Sequence, residues 1–296
     1  MTSSALRRAW SWRAPAKVNL TLRILGRRGD GLHELESIVA FAGCCDHVFF
    51  EPGPEVSLRV DGANADASGS VGNNLILRAV SELAARSPGL ATGAFRLQKQ
   101  LPVAAGLGGG SSDAAAALRA LAAANGMSIS DTRVVKAARA TGADVPVCLL
   151  PRARMMSGIG DLVGPGLDLP PTPAVLVNPG LEVATRDVFA RLGLARGQNS
   201  NQKPASPGRG FLDLANLVEA VQQDGNDLRN AAESIAPEIG AVIDALSGAP
   251  GVLAAGMSGS GATCFALFSD RHLAAASARS LSASQPNWWV RPTLLR

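Results

Sequence analysis

Tyrosine is absent from this 296-residue chain, and aromatic residues make up only 4% of it. Single-stranded bases are read on stacked rings, so a nucleic-acid binder fits badly even though the formal net charge is +4. The positive excess is thinly spread except at Arg23, Arg27 and Arg28, which suit an anionic small molecule unless they form a solvated face. Cysteine is scarce too: Cys44, Cys45, Cys148 and Cys264 show neither Cys-x-x-Cys spacing nor a disulfide-framework pattern. Such cysteines are expected to be reduced thiols of a cytoplasmic protein. The three histidines are scattered, with no His-Glu-x-x-His, so a protein-built metal site is not expected and any metal should arrive with a nucleotide. No apolar run is as long as a membrane span.

The common nucleotide-binding strings are missing as well. There is no Gly-Lys pair for a Walker A loop, and no His-Arg-Asp or Asp-Phe-Gly of a protein kinase. What the chain does contain is Leu101-Pro-Val-Ala-Ala-Gly-Leu-Gly-Gly-Gly-Ser-Ser-Asp113 followed by an alanine-rich run to Ala124. Ser111 stands where a dinucleotide fingerprint would need its third glycine. Gly106, Gly108, Gly109 and Gly110 leave the backbone open to close approach, and the alanines that follow are strong helix formers. A loop feeding a helix N-terminus presents unpaired N–H groups and the positive end of the helix dipole, a natural seat for phosphate. Ser111 and Ser112 either cap that helix or bind the ligand.

The stretch Pro102-Val-Ala-Ala-Gly106-Leu107-Gly108-Gly-Gly-Ser111-Ser112 resembles the second motif of the GHMP small-molecule kinases, Pro-x-x-x-Gly-Leu-Gly-x-x-Ser-Ser. That superfamily includes galactokinase, homoserine kinase and mevalonate kinase. The opening Ala14-Pro15-Ala16-Lys17-Val18-Asn19-Leu20, the later Gly26-Arg-Arg-Gly-Asp-Gly31-Leu32-His33, and Gly142-Ala143-Asp144-Val145-Pro146 narrow the likeness. They resemble the branch that phosphorylates the 2-hydroxyl of 4-diphosphocytidyl-2-C-methyl-D-erythritol in the non-mevalonate route to isoprenoid precursors. Gly256-Met-Ser-Gly-Ser-Gly261-Ala-Thr263 is similar to the third motif of the superfamily, a turn packed close to the phosphate loop, and Asn226-Asp227-Leu228 is a further shared string. One departure is Leu32, where the branch commonly has tyrosine. Leucine can neither stack as a ring nor offer a hydroxyl.

The resemblance implies an α+β, two-domain GHMP kinase fold, with an N-terminal domain (1–165) of a type found in a ribosomal protein. A ferredoxin-like C-terminal domain (166–296) would follow, with the active site in the cleft between them. It implies ATP carried with Mg2+ and held by Pro102, Val103, Ala104, Ala105, Gly106, Leu107, Gly108, Gly109, Gly110, Ser111 and Ser112. Asp144 and Lys17 would be catalytic, and Asn19 and His33 would orient the alcohol substrate. Phe189 would stack on the cytosine, although its spacing from Val188 and Leu192 fits a core position equally well. The expected partner is the small-molecule substrate alone, with no nucleic acid or membrane, in a monomer or weak homodimer. Two alternatives stand beside this reading: another GHMP kinase of the homoserine or mevalonate type, and a basic RNA-binding protein.

Periodicity supplies the elements. Val18, Leu20, Leu22 and Ile24 alternate with Lys17, Asn19, Thr21 and Arg23, which predicts a half-buried strand with Lys17 and Asn19 side by side. Further strands are expected at 46–51, 55–60, 95–99, 174–177, 252–255, 264–268 and 288–290. A helix capped by Asn73 should bury Ile76, Ala79, Val80 and Leu83. Others are expected at 130–141, 185–192, 211–223, 238–247 and 271–284. A proline-rich hinge at 162–173 marks the domain boundary, and the breaker-rich stretch 195–210 is expected to be a mobile surface loop. Residues 1–13 contain arginine and serine without acid, as organelle presequences do. The strand beginning directly after them makes a ragged N-terminus the better reading.

Overall fold

The computed structural model describes residues 10–200 and 213–296. The remainder, including 1–9 and most of the 195–210 stretch read as a mobile loop, lies outside the described residues. The chain divides into two compact units. One comprises residues 1–16, 45–103 and 109–150, and the other 17–44, 104–108 and 151–296.

In the first unit the end of a long strand, His33–Pro52, pairs antiparallel with Gly93–Gln98, and Ser57–Asp61 pairs with the same strand in parallel. Parallel neighbours need a crossover, and the helix Leu75–Arg86 supplies it, burying Ile76, Ala79, Val80 and Leu83. Its cap is Asn74 rather than Asn73: the Asn74 side chain accepts from the Ile76 N–H. Phe50 and Phe95 face each other in register with ring centroids 4.7 Å apart, the kind of cross-strand pair that fixes register. The helix Gly109–Ala124 has alanine at Ala114, Ala115, Ala116 and Ala117, all fully buried. Small side chains let Leu75–Arg86 and Thr132–Thr141 pack closely against it. The last of these helices starts at Thr132, because Asp131 caps it through the Arg133 N–H.

The second unit carries a β-α-β-β-α-β pattern. Thr172–Asn178 and Cys264–Phe268 lie at its centre, flanked by Trp289–Leu295 and Val252–Met257. Every pairing is antiparallel, and the spatial order is fourth, first, third, second. This is the ferredoxin-like topology. Residues 174–177 and 264–268 read as unbroken apolar runs because both faces are covered, and every one of them is fully buried.

Three expectations change. The supposed half-buried strand is buried on both faces: Lys17, Asn19 and Thr21 are only 2–3% exposed, because other segments hydrogen-bond to its polar side. It also breaks, with Trp10–Asn19 and Arg23–Arg27 as separate strands. The 162–173 hinge contains a strand, Leu162–Gly166, paired with Arg154–Gly158. A proline is tolerated there because the strand pairs on one side only. Finally, residues 197–200 are laid along Leu25–Arg27 by backbone bonds from Gly197 N–H to Arg27 O and from Ser200 N–H to Leu25 O.

Candidate active site

In the second unit, the centre of the glycine-rich stretch is held by its carbonyls. The Thr263 N–H donates to Ala105 O, the Ser258 hydroxyl to Gly106 O, and the Lys17 N–H to Leu107 O, at 3.2, 2.9 and 2.8 Å. Three successive acceptors are thus consumed by protein. Among the described residues, no N–H of 104–108 donates a hydrogen bond. Gly106 and Gly108 have φ of 72° and 59°, a region that favours glycine. At Gly108 a Cβ would lie 3.0 Å from Lys17 Cε, so the missing side chain makes room for the lysine stem. With its carbonyls engaged, the segment keeps backbone N–H groups of the kind an anion nest uses.

Lys17 and Asn19 are neighbours, as their spacing predicted: Lys17 Nζ donates to Asn19 Oδ1 at 3.1 Å. Asn19 is anchored twice more, by its N–H to Ser258 Oγ and by its amide Nδ2 to Ser37 Oγ. The Ser258 hydroxyl therefore ties the Lys17–Asn19 strand to Gly106. Asn226, singled out only as part of a shared string, donates through Nδ2 to both Met257 O and Gly259 O at 2.8 Å. Asp227 accepts from the Ile24 N–H at 2.6 Å. The string thus clips the third motif to the strand that follows Asn19.

His33 and Phe189 also come together, with ring centroids 4.8 Å apart. Val188 takes the core position of that helix, fully buried, while Phe189 stays half-buried against His33. Phe189 thus packs on His33 and leaves the core position of its helix to Val188. Burial and then the neighbouring Arg27 hold the His33 imidazole below its usual pKa, so near neutral pH it is an uncharged ring with one donor and one acceptor. Its Nε2 is buried without a hydrogen-bond partner among the described residues. Leu32, beside it, is 48% exposed. The arginine cluster is committed elsewhere: Arg27 binds Gly31 O and Leu194 O, Arg28 pairs with Asp30, and Arg23 lies 3.8 Å from Asp224.

In the first unit, Gly109, Gly110, Ser111 and Ser112 form the first turn of Gly109–Ala124. Neither serine is therefore a cap. Ser112 is buried, and its hydroxyl donates to Pro15 O at 2.7 Å. Asp144 belongs to the same unit, half-exposed, immediately before the one-turn helix Val145–Cys148, and its carboxylate does not cap that turn.

A buried ion cluster in this unit escaped the sequence reading. Lys99 Nζ donates to Asp46 Oδ2 at 2.6 Å and to Asp113 Oδ2 at 2.7 Å, and all three residues are at most 4% exposed. Asp46 Oδ1 also accepts the Gln100 and Leu101 N–H groups. Among the described residues, Asp113 Oδ1 has no partner. Burial raises the Asp113 carboxyl to about 7, with Lys99 pulling it down and Asp46 pushing it further up. Burial disfavours the Lys99 charge, but the two carboxylates more than offset this and hold its pKa above the usual value. The sequence put Lys99 at the end of a strand that in fact stops at Gln98, and its partners, 53 and 14 residues away, were not legible beforehand.

An acid whose folded pKa is raised contributes its full stability below the unfolded value and loses it as pH rises toward the folded one. The Asp113→Asn variant removes that loss. Its melting temperature relative to the parent should therefore climb between pH 4 and about 7 and level off above. We expect the gap to change by at least about 2 °C, as 1 kcal/mol would produce in a chain of this size. Thermal melts across that range check this, and a pH-independent gap would show that Asp113 does not titrate there.

Residues 74–152 match the family model described as GHMP kinases N terminal domain, and 209–287 match GHMP kinases C terminal. The chain is 54% identical over 284 residues to a 4-diphosphocytidyl-2-C-methyl-D-erythritol kinase of Methylorubrum extorquens, covering 96% of this chain and 98% of that one. It is 52% identical to the protein of the same description from Rhodopseudomonas palustris, with 94% of each covered. Among solved structures it is similar to a crystal structure of 4-(cytidine 5'-diphospho)-2C-methyl-D-erythritol kinase. That match has TM-score 0.75 and 32% identity, with 97% of this chain and 99% of that one covered. A homoserine kinase from Cytophaga hutchinsonii, at 18% identity and TM-score 0.69 over 99% and 96% of the two chains, shares the fold.

Proposed function

The chain belongs to the GHMP kinases, in the group of 4-diphosphocytidyl-2-C-methyl-D-erythritol kinases. From that premise we propose how its residues transfer the γ-phosphoryl of ATP to the 2-hydroxyl of the diphosphocytidyl alcohol, a step in isoprenoid precursor biosynthesis. The observation that carries the reading is the run of three engaged carbonyls at 105–107, which leaves the loop's N–H groups for an anion. Residues 102–112 then hold the triphosphate by backbone amides and by the N-terminal turn of Gly109–Ala124. Bound with the nucleotide, magnesium would screen its phosphate charge, and the Ser111 hydroxyl offers the kind of hard oxygen donor it would prefer.

Phosphoryl transfer asks the protein mainly to position two substrates and to neutralise charge. Asp144 accepts the proton of the attacking hydroxyl. Lys17 balances charge that builds on the transferred group. Asn19 orients the alcohol. The buried, unpartnered Nε2 of His33 suits the polar edge of cytosine, and Phe189 offers a ring face to the same base. With Leu32 in place of the usual tyrosine, stacking on the base falls to Phe189.

We place the two GHMP domains at 1–165 and 166–296, which is supported by the N- and C-terminal family models falling on either side of 165. We propose a monomer or weak homodimer acting on a small molecule. A cytoplasmic site is supported by Cys44, Cys45, Cys148 and Cys264, none of which forms a disulfide among the described residues. No helix among the described residues is long and apolar enough to cross a membrane. The RNA-binding alternative rested on the basic charge and the fold type, and the kinase relatives favour the small-molecule reading over it.

Purified protein supplied with Mg-ATP should release ADP with the diphosphocytidyl alcohol and not with mevalonate, homoserine or galactose. A coupled ADP assay reads the outcome. Turnover of one of the other three alcohols in place of the first would remove the substrate assignment while leaving the superfamily standing.

A further inference from the structure

The glycine-rich loop leaves the strand Gly93–Gln98 at Lys99 and re-enters regular structure at Gly109. One buried cluster grips both of these points. On the entry side, Asp46 Oδ1 takes the N–H groups of Gln100 and Leu101, at 2.5 and 2.8 Å. On the exit side, Lys99 Nζ reaches across to Asp113 in the helix that the loop feeds, and it bonds Asp46 with another of its protons. Gly109 fits over this link, since a Cβ there would lie 3.1 Å from Lys99 Nζ.

We propose that Lys99, Asp46 and Asp113 are positioning residues that strap the two ends of the phosphate loop together and so set the enzyme's affinity for nucleotide. The inference rests on the reading of 102–112 as the ATP-binding segment. Two carboxylates share one ammonium here, and one oxygen, Asp113 Oδ1, is buried without a partner among the described residues. Such an arrangement is a poor device for stability, because well-packed apolar residues in place of a buried ion cluster are commonly as stable or more so. What it supplies is geometry. A glycine-rich segment has a large conformational freedom to lose when it closes on a ligand. Fixing its ends beforehand removes part of that cost from binding, which is how preorganisation raises affinity. Asp113 touches no nucleotide in this scheme and acts through the first turn of its helix.

Two uncharged variants separate the strap from the charge. Asp113→Asn keeps an oxygen for Lys99 to donate to, whereas Asp113→Ala, in a helix already rich in alanine, keeps none; both leave Lys99 paired with Asp46. The alanine variant should show a KM for ATP about tenfold above that of the asparagine variant, through lost preorganisation. Its kcat and its KM for the alcohol should stay within about threefold of the asparagine variant, the pattern of lost ground-state binding. Circular dichroism confirms folding, and Asp113→Val, which fills more of the space, replaces alanine if that variant does not fold. Equal KM values for ATP in the uncharged variants would overturn the strap while leaving the kinase intact. A parent protein without ATP turnover would instead overturn the function on which the strap depends.

Discussion

Asp144→Asn should cost the enzyme about two to four orders of magnitude in kcat, the usual worth of a positioned general base. Asparagine has nearly the shape of aspartate but does not accept a proton at neutral pH. Asp144 is half-exposed and does not cap the Val145–Cys148 turn, so the helix loses no cap in the variant. Nucleotide affinity depends on other groups, and the Kd for ADP should stay within about twofold. Rates under saturating substrates, together with an ADP titration, decide the matter. An asparagine variant retaining most of its rate would mean that Asp144 is not the base and that transfer proceeds by positioning alone.

Gly106→Ala should be nearly as damaging, for a purely steric reason. A Cβ at 106 would stand 2.3 Å from Ser258 O, 2.9 Å from Gly261 O and 3.0 Å from Gly261 N, on a residue with φ of 72°. All three neighbours are backbone and cannot rotate away. Either the loop or the third motif must move, and with it go the Ser258 and Thr263 bonds that orient the loop's carbonyls. We expect kcat/KM for ATP to fall about a hundredfold, the scale on which a displacement of about 1 Å is felt at a reacting centre. Gly89→Ala is the control. That residue also has positive φ, 79°, but among the described residues nothing lies within 4 Å of its Cβ position. It should lose about 1–2 kcal/mol of stability from backbone strain and no activity. Equal kinetics in the two variants would show that the close approach at Gly106 is not needed for catalysis.

Leu32 illustrates how far local reading reaches. Its departure from the usual tyrosine is visible in the chain itself, and the structure adds that the leucine is well exposed. The same step from pattern to placement sorted Phe189: helical spacing allowed it a core position, and only the packing of Val188 and the ring contact with His33 moved it out. For Ser111 and Ser112 the helix begins too early for a serine cap, since Gly109 and Gly110 already lie in its first turn.

Elements whose signal lies within a few residues were legible in the chain alone. The helix Arg271–Ser284 and the strand Cys264–Phe268 fall where capping and apolar runs put them, as does the lysine–asparagine pair at 17 and 19. These signals arise from the repeat of 3.6 or 2 residues and from side chains bonding their own backbone, so they need no knowledge of the fold. The Lys99 cluster, the Ser258 link to Asn19 and Gly106, and the Asn226 clip on the third motif were decided only by tertiary structure. Their partners are separated by up to 239 residues, and a buried charge or amide acquires its meaning from whatever the fold brings against it. The strand beginning at Lys17 shows both sides of this. Its alternation predicted which residues are neighbours, but whether its polar side met water or protein depended on segments far along the chain.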